Sequence, residues 1–274
     1  MAGTPTTYDT AALRDALYTD GITAIKGAFS PEWADRLRED IETLFAEARS
    51  RPDGAVGRGP KRWYVEIHPE RLRGFVDIAT HPWVTAVASA VLGDDYRLVE
   101  VGFDVPYPGA QNQPWHRDFP SPPETYGEHR LTSLAVNLTA VDTVEAMGPF
   151  EIAPGTQWER GEDFDHGMFP PKSEYPRYES LAARKLPQRG DVSARSALTL
   201  HRGTKNVSDS ARPVLVVGFV AAGADESRND LVVSRRYHDS LPAEVRDHLG
   251  ARVVEELTPL KQKHTIEGLV MGEA

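Results

Sequence analysis

Gln113-Pro114-Trp115-His116-Arg117-Asp118-Phe119-Pro120 is the stretch on which the reading of this chain turns. His116 and Asp118 are separated by one residue, and side chains alternate along an extended backbone, so the imidazole and the carboxylate share one side and can grip one metal ion. Two ligands make a loose site. The best third ligand is His201, in Leu200-His201-Arg202-Gly203-Thr204-Lys205-Asn206. Two histidines and one carboxylate, with positions left open on the metal, form the set that holds non-haem Fe(II).

Composition agrees with such a site. The chain has 274 residues and no cysteine, so any metal is held by histidine and carboxylate, which suits iron or manganese better than structural zinc. The absence of disulfides fits a reducing cytoplasm, the expected location. A net charge of −10 argues against general nucleic-acid affinity, which needs a basic face. No apolar run reaches the ~18 residues of a membrane span, and the start lacks the basic and apolar segments of a signal peptide. The expected partner is a small molecule, with the chain a monomer or homodimer.

Helical signals come first. Thr10 is a cap for a helix over Ala11–Tyr18, and Gly21–Ile25 alternates as a strand. Ser30-Pro31 opens a long amphipathic helix to Arg49, with Trp33, Leu37, Ile41, Leu44, Phe45 and Ala48 on one face. Residues 50–60 read as a loop. A further helix follows His81-Pro82, burying Val84, Val87, Ala88, Val91 and Leu92 before Gly93. Strand-like runs then succeed one another at 97–107, 131–139, 148–153, 192–200 and 213–221, each bounded by Gly, Pro or Asp, which predicts an all-β sandwich or barrel. Residues 157–186 are rich in proline and poor in apolar periodicity, and read as a lid or binding loop. It carries Arg160, Asp163, His166, Lys172, Tyr175 and Arg177, a mixture that suits a polar small molecule. A last helix is expected over Pro242–Leu249. The expected organisation is one domain over 1–274: a mainly helical support at 1–96, the β core at 97–222 with its lid-like insert, and a C-terminal extension at 223–274.

Arg212 opens the apolar run Val214–Val220, and its planar guanidinium can donate two parallel hydrogen bonds to a carboxylate. Four pieces, His116-Arg117-Asp118, the run Gly148-Pro149-Phe150-Glu151-Ile152-Ala153-Pro154-Gly155-Thr156, Gly190-Asp191, and His201 through Ser208 to Arg212, occur in an order and spacing that resembles the phytanoyl-CoA dioxygenase-like family of Fe(II)/2-oxoglutarate oxygenases. The resemblance spans 97–222. It implies a mainly β fold, a double-stranded β-helix or cupin-like jelly roll with N-terminal helices on one face. It also implies iron on His116, Asp118 and His201, with Arg212 on the distal carboxylate of 2-oxoglutarate, O2 as co-reactant and ascorbate as a supporting reductant. Asn137 falls at a strand position that often lines the cosubstrate pocket in relatives, Lys61 falls roughly where some members contribute a basic cosubstrate contact, and Arg117, between the two ligands, is placed to face cosubstrate or substrate. Many members carry a hydroxyl two residues after the distal histidine; here that residue is Gly203, and Thr204 beside it has the opposite strand parity. Asp118 stands where halogenating relatives have Gly or Ala, so hydroxylase-type chemistry is implied.

Trp115, Phe103 and Tyr107 are candidates for the substrate wall, with core packing the equal alternative. The seven other histidines, His264 among them, read as structural or solvent-facing. Two further classes remain open on the residues alone: a cupin-like protein that binds a metal or small ligand without oxidising anything, and a metal-dependent hydrolase or isomerase on the same three ligands.

Overall fold

Strand alternation sorts this chain into a helix-facing layer and a cavity-facing layer. The computed structural model describes residues 7–224 and 231–262; His264 lies outside them. Helix α1 (Thr10–Thr19) leads into β1 (Ile22–Ile25). Its cap is Asp9 rather than Thr10, since the Asp9 carboxylate accepts from the Ala12 amide at 3.0 Å. Helix α2 (Pro31–Arg49) starts as its Ser30-Pro31 signal predicts, with the Ser30 hydroxyl accepting from the Trp33 amide, and all six of its expected apolar residues are buried.

The next stretch departs from expectation. Val56–Gly57 (β2) and Arg62–Glu66 (β3) are strands, so the segment before residue 97 supplies sheet as well as helices. Arg62-Trp63-Tyr64-Val65-Glu66 lacks a clean apolar alternation because its inward side chains are polar. Helices α3 (Phe75–Ala79) and α4 (Pro82–Leu92) follow, then β4 (Arg97–Pro106), α5 (Pro123–Gly127), β5 (Ser133–Thr139) and β6 (Phe150–Ile152). The supposed lid carries helix α6 (Tyr175–Leu181) and strand β7 (Ala183–Lys185), so its end is part of a sheet. Strands β8 (Val192–Ser196), β9 (His201–Gly203) and β10 (Val214–Val220) complete the central region. Strand β11 (Val232–Ser234), helices α7 (Arg235–Ser240) and α8 (Ala243–His248), and β12 (Arg252–Val254) follow, β11 and β12 pairing in parallel.

Seven strands form the major sheet in the order β1-β8-β5-β10-β4-β3-β2, and three form the minor sheet in the order β7-β6-β9. The pairings of both sheets are antiparallel, and together they make the jelly roll. On one face of the major sheet Phe103, Val105, Val136, Leu138, Leu215 and Val217 pack with residues of α2 and α4 into the main core. Their strand neighbours Glu100, Asp104, Asn137, Val214, Val216 and Arg195 line a cavity of about 1460 Å³ on the other face. No helix among the described residues is long and apolar enough to cross a membrane.

Candidate active site

The segment holding His116 runs extended beside β9. The His116 amide donates to the His201 carbonyl at 3.0 Å and the His201 amide to the His116 carbonyl at 2.9 Å. Backbone pairing, rather than proximity in sequence, therefore joins the two histidines, and the Asp118 amide is held in turn by the Ala197 carbonyl at 2.9 Å. One donor atom from each of His116, Asp118 and His201 lies within 4.8 Å of the others.

The protonation pattern suits a cation. Nδ1 of His116 donates to the Pro114 carbonyl and Nδ1 of His201 to the Thr199 carbonyl, both at 2.9 Å, which leaves each Nε2 unprotonated and turned to the shared point. Burial, first of all, holds His116 down to about 4 and His201 well below its ordinary value, where the Arg195 charge adds to the effect. Burial alone would raise the Asp118 carboxyl, but Arg195 and the histidines override it and hold it at about 2. Two neutral imidazoles and an ionised carboxylate match the donor set of Fe(II).

A second centre lies beside the first. Arg212 is buried, its Nε donates to the Gly148 carbonyl at 3.1 Å, and among the described residues its two Nη groups find no hydrogen-bond partner. Burial and the nearby positive charge of Arg62 bring Arg212 down to about 10. Arg62 is 1% exposed; its Nη1 donates to Asp104 at 2.9 Å and to the Gln113 side chain at 3.2 Å, and its Nη2 to the Thr204 carbonyl at 3.3 Å. Two guanidiniums against one carboxylate leave a net positive pocket, and a buried charge of that kind calls for an anion. Asn137 lines the same cavity with a buried, unpartnered Oδ1.

Several expected contacts fall elsewhere. Lys61 is exposed, in a left-handed turn (φ 57°), and the neighbouring Arg62 reaches the cavity instead. Arg117 has the opposite parity to its neighbours and points away from the cavity, donating to the Glu159 and Arg160 carbonyls and lying 4.5 Å over the Phe164 ring. Thr204 spends its hydroxyl on the Pro149 carbonyl at 2.7 Å. Trp115 is fully buried in a small cluster with Ala153, Tyr178 and Leu200, and Phe103 in the main core. Tyr107 is 38% exposed and packs against Phe45 and Trp63 on the outside. None of these six lines the cavity. Of the named residues in the supposed lid, none does either, although Met168 and Ala183–Leu186 do.

Among the cavity residues that escaped the sequence reading are Arg62, Arg195, Glu100 and Tyr64. Arg195 stands in Val192-Ser193-Ala194-Arg195-Ser196, where period-two alternation with Ser193 was the available signal. Tyr64 hydrogen-bonds Glu100, and the pair lies over two strand glycines: a Cβ on Gly102 would come within 2.6 Å of the Tyr64 hydroxyl, and one on Gly218 within 2.9 Å of a Glu100 carboxylate oxygen. Burial raises both groups above their ordinary values.

A jelly roll with a His-Asp-His triad in a cavity that also holds the buried Arg62 and Arg212 defines the class of non-haem iron enzymes that take an acidic cosubstrate. The phytanoyl-CoA dioxygenase (PhyH) family model matches residues 17–214, and the chain belongs to that family, whose members use Fe(II), 2-oxoglutarate and O2. Among solved structures it is similar to the non-heme alpha ketoglutarate dependent carbocyclase SnoK from nogalamycin biosynthesis, at 21% identity over 80% of this chain and 88% of that one, with a TM-score of 0.63. It is also similar to AviO1 from Streptomyces viridochromogenes Tue57, at 19% identity over 80% and 98% of the two chains, with a TM-score of 0.58.

Proposed function

We propose that this chain is an Fe(II)- and 2-oxoglutarate-dependent oxygenase that attacks a C–H bond of a polar small molecule, with hydroxylation as its default outcome. The observation that carries the reading is the continuity of one cavity from the His116–Asp118–His201 triad to the open Nη groups of Arg212. Iron(II) with 2-oxoglutarate and O2 supplies the oxidant, the cosubstrate leaving as succinate and CO2.

The chain's own residues do the rest. His116 and His201 present Nε2 because backbone carbonyls hold their Nδ1 protons. Arg212, whose Nη groups are open, would hold the distal carboxylate of 2-oxoglutarate. Arg62, pinned by Asp104 and Gln113, stands in for the hydroxyl that Gly203 lacks. Asn137 faces the cosubstrate from β5.

The substrate occupies the cavity beyond this point. Tyr64, Glu100 and Ser133 give that region hydrogen-bonding groups, which supports a polar metabolite or amino acid derivative over a plain acyl chain. The neighbouring carbocyclase makes ring closure the second outcome to assay on the same site. The test is O2-dependent succinate formation from 2-oxoglutarate across a panel of polar metabolites, with Asp118→Ala as control. Turnover that survives without O2 would favour a hydrolase or isomerase, and binding without succinate a cupin-like binding protein.

A further inference from the structure

Arg195 is a buried cavity charge that the cosubstrate pocket does not use. It projects from β8, with its Cα opposite Ile22 of β1 and Ala135 of β5, and its residue is 6% exposed. Its Nη1 donates to Asp118 Oδ2 at 2.6 Å and its Nη2 to Asp118 Oδ1 at 3.2 Å, while its buried Nε has no hydrogen-bond partner. A guanidinium is rarely taken into an interior without an acid to match it, and here Asp118 is its one hydrogen-bonding partner among the described residues.

The two oxygens of Asp118 are not equivalent. Oδ2 takes the short bond. Oδ1 takes the long one and stands 3.5 Å from Nε2 of His201, a second member of the triad. The fork therefore turns one oxygen toward the metal point and ties the other back to the major sheet. From this geometry we infer that Arg195 is a positioning residue that makes Asp118 a one-oxygen ligand, keeping the carboxylate from closing on the metal through both oxygens. This rests on the iron reading of the triad.

The consequence is a count of positions. With one oxygen from Asp118 and two imidazole nitrogens, an octahedral ion keeps three positions free: two for a 2-oxo acid and one for O2. With both oxygens engaged, the 2-oxo acid would fill the last positions. Two hydrogen bonds from a cation also draw charge from the carboxylate and weaken it as a donor.

The experiment uses the full chain loaded with Fe(II) and 2-oxoglutarate without O2, and reads the visible charge-transfer band, comparing wild type with Arg195→Met, Arg195→Gln and Arg195→Lys. The Met and Gln variants are expected to form the band at longer wavelength, because the freed carboxylate donates more strongly to the metal. On admitting O2 they should consume 2-oxoglutarate at least tenfold more slowly than wild type. Lys restores the charge without the fork and is expected to fall between. Thermal unfolding of each variant identifies those that fold, and if the Met variant does not, the Gln variant is read alone. A band at the wild-type position together with wild-type consumption overturns the role of Arg195. A wild type that forms no band overturns the iron reading itself, which separates the two failures.

Discussion

The guanidinium of Arg62 occupies the space that a side chain on residue 203 would need: a Cβ built on Gly203 would lie 2.2 Å from Nη1 and 2.7 Å from Cζ of Arg62. Gly203 is therefore not an empty place in the cosubstrate pocket. A buried arginine from the opposite sheet has taken it. Restoring a hydroxyl with Gly203→Ser should displace Arg62 and raise the Kd for 2-oxoglutarate about tenfold or more, about 1.4 kcal/mol. Calorimetric titration of the Fe(II)-loaded protein checks this, and tighter binding would contradict it.

Arg212→Ala removes the two open Nη donors. At about 1.5 kcal/mol or more for each hydrogen bond to a charged group, the Kd for 2-oxoglutarate should rise at least about 100-fold. Iron binding, measured by metal titration, should stay near wild type, because Arg212 does not touch the triad. Equal loss of both affinities would show that Arg212 supports the site as a whole instead of gripping the cosubstrate.

Acid should weaken the metal-free protein in a defined window. His116 is held down to about 4 from 6.5 by burial, so between those values the unfolded chain binds a proton that the folded chain refuses. Stability is thus full above pH 6.5, falls as pH drops toward 4, and levels off for this group below that. Urea unfolding across the range should show the slope, and His116→Gln should reduce it. An unchanged slope would mean that His116 is not desolvated as its surroundings require.

Trp115 gives the opposite kind of test. Its place among Ala153, Tyr178 and Leu200 makes it a packing residue. Trp115→Ala should destabilise the fold by about 3–5 kcal/mol, whereas Trp115→Phe should keep the KM for substrate within about twofold while losing some stability. A large rise in KM in a stable Phe variant would return Trp115 to the substrate wall.

The helices and most central strands were legible because apolar periodicity and capping residues announce them, as Ser30-Pro31 and the six buried residues of α2 illustrate. His116, Asp118, His201 and Arg212 were legible through their order and spacing, and the structure brings all four to one cavity. Strand β3 was not, because a strand facing a polar cavity shows no clean alternation, and with it Arg62 and Tyr64 went unseen. Of the two roles open to Phe103 and Trp115, substrate wall or core, the structure gives packing, and Arg117 lies outside the cavity with them. Phe103 lies on the face of β4 that turns to the helices, which alternation alone does not reveal, whereas Trp115 and Arg117 alternate with His116 and Asp118 and so turn from the metal side.

The central claim, that the triad and the two arginines hold Fe(II) and 2-oxoglutarate together, is tested most directly by visible absorption during anaerobic titration of 2-oxoglutarate into the Fe(II)-loaded protein. The account predicts a weak charge-transfer band that saturates at one equivalent in wild type and fails to form in Asp118→Ala. No band in wild type, or an undiminished band in Asp118→Ala, would contradict it.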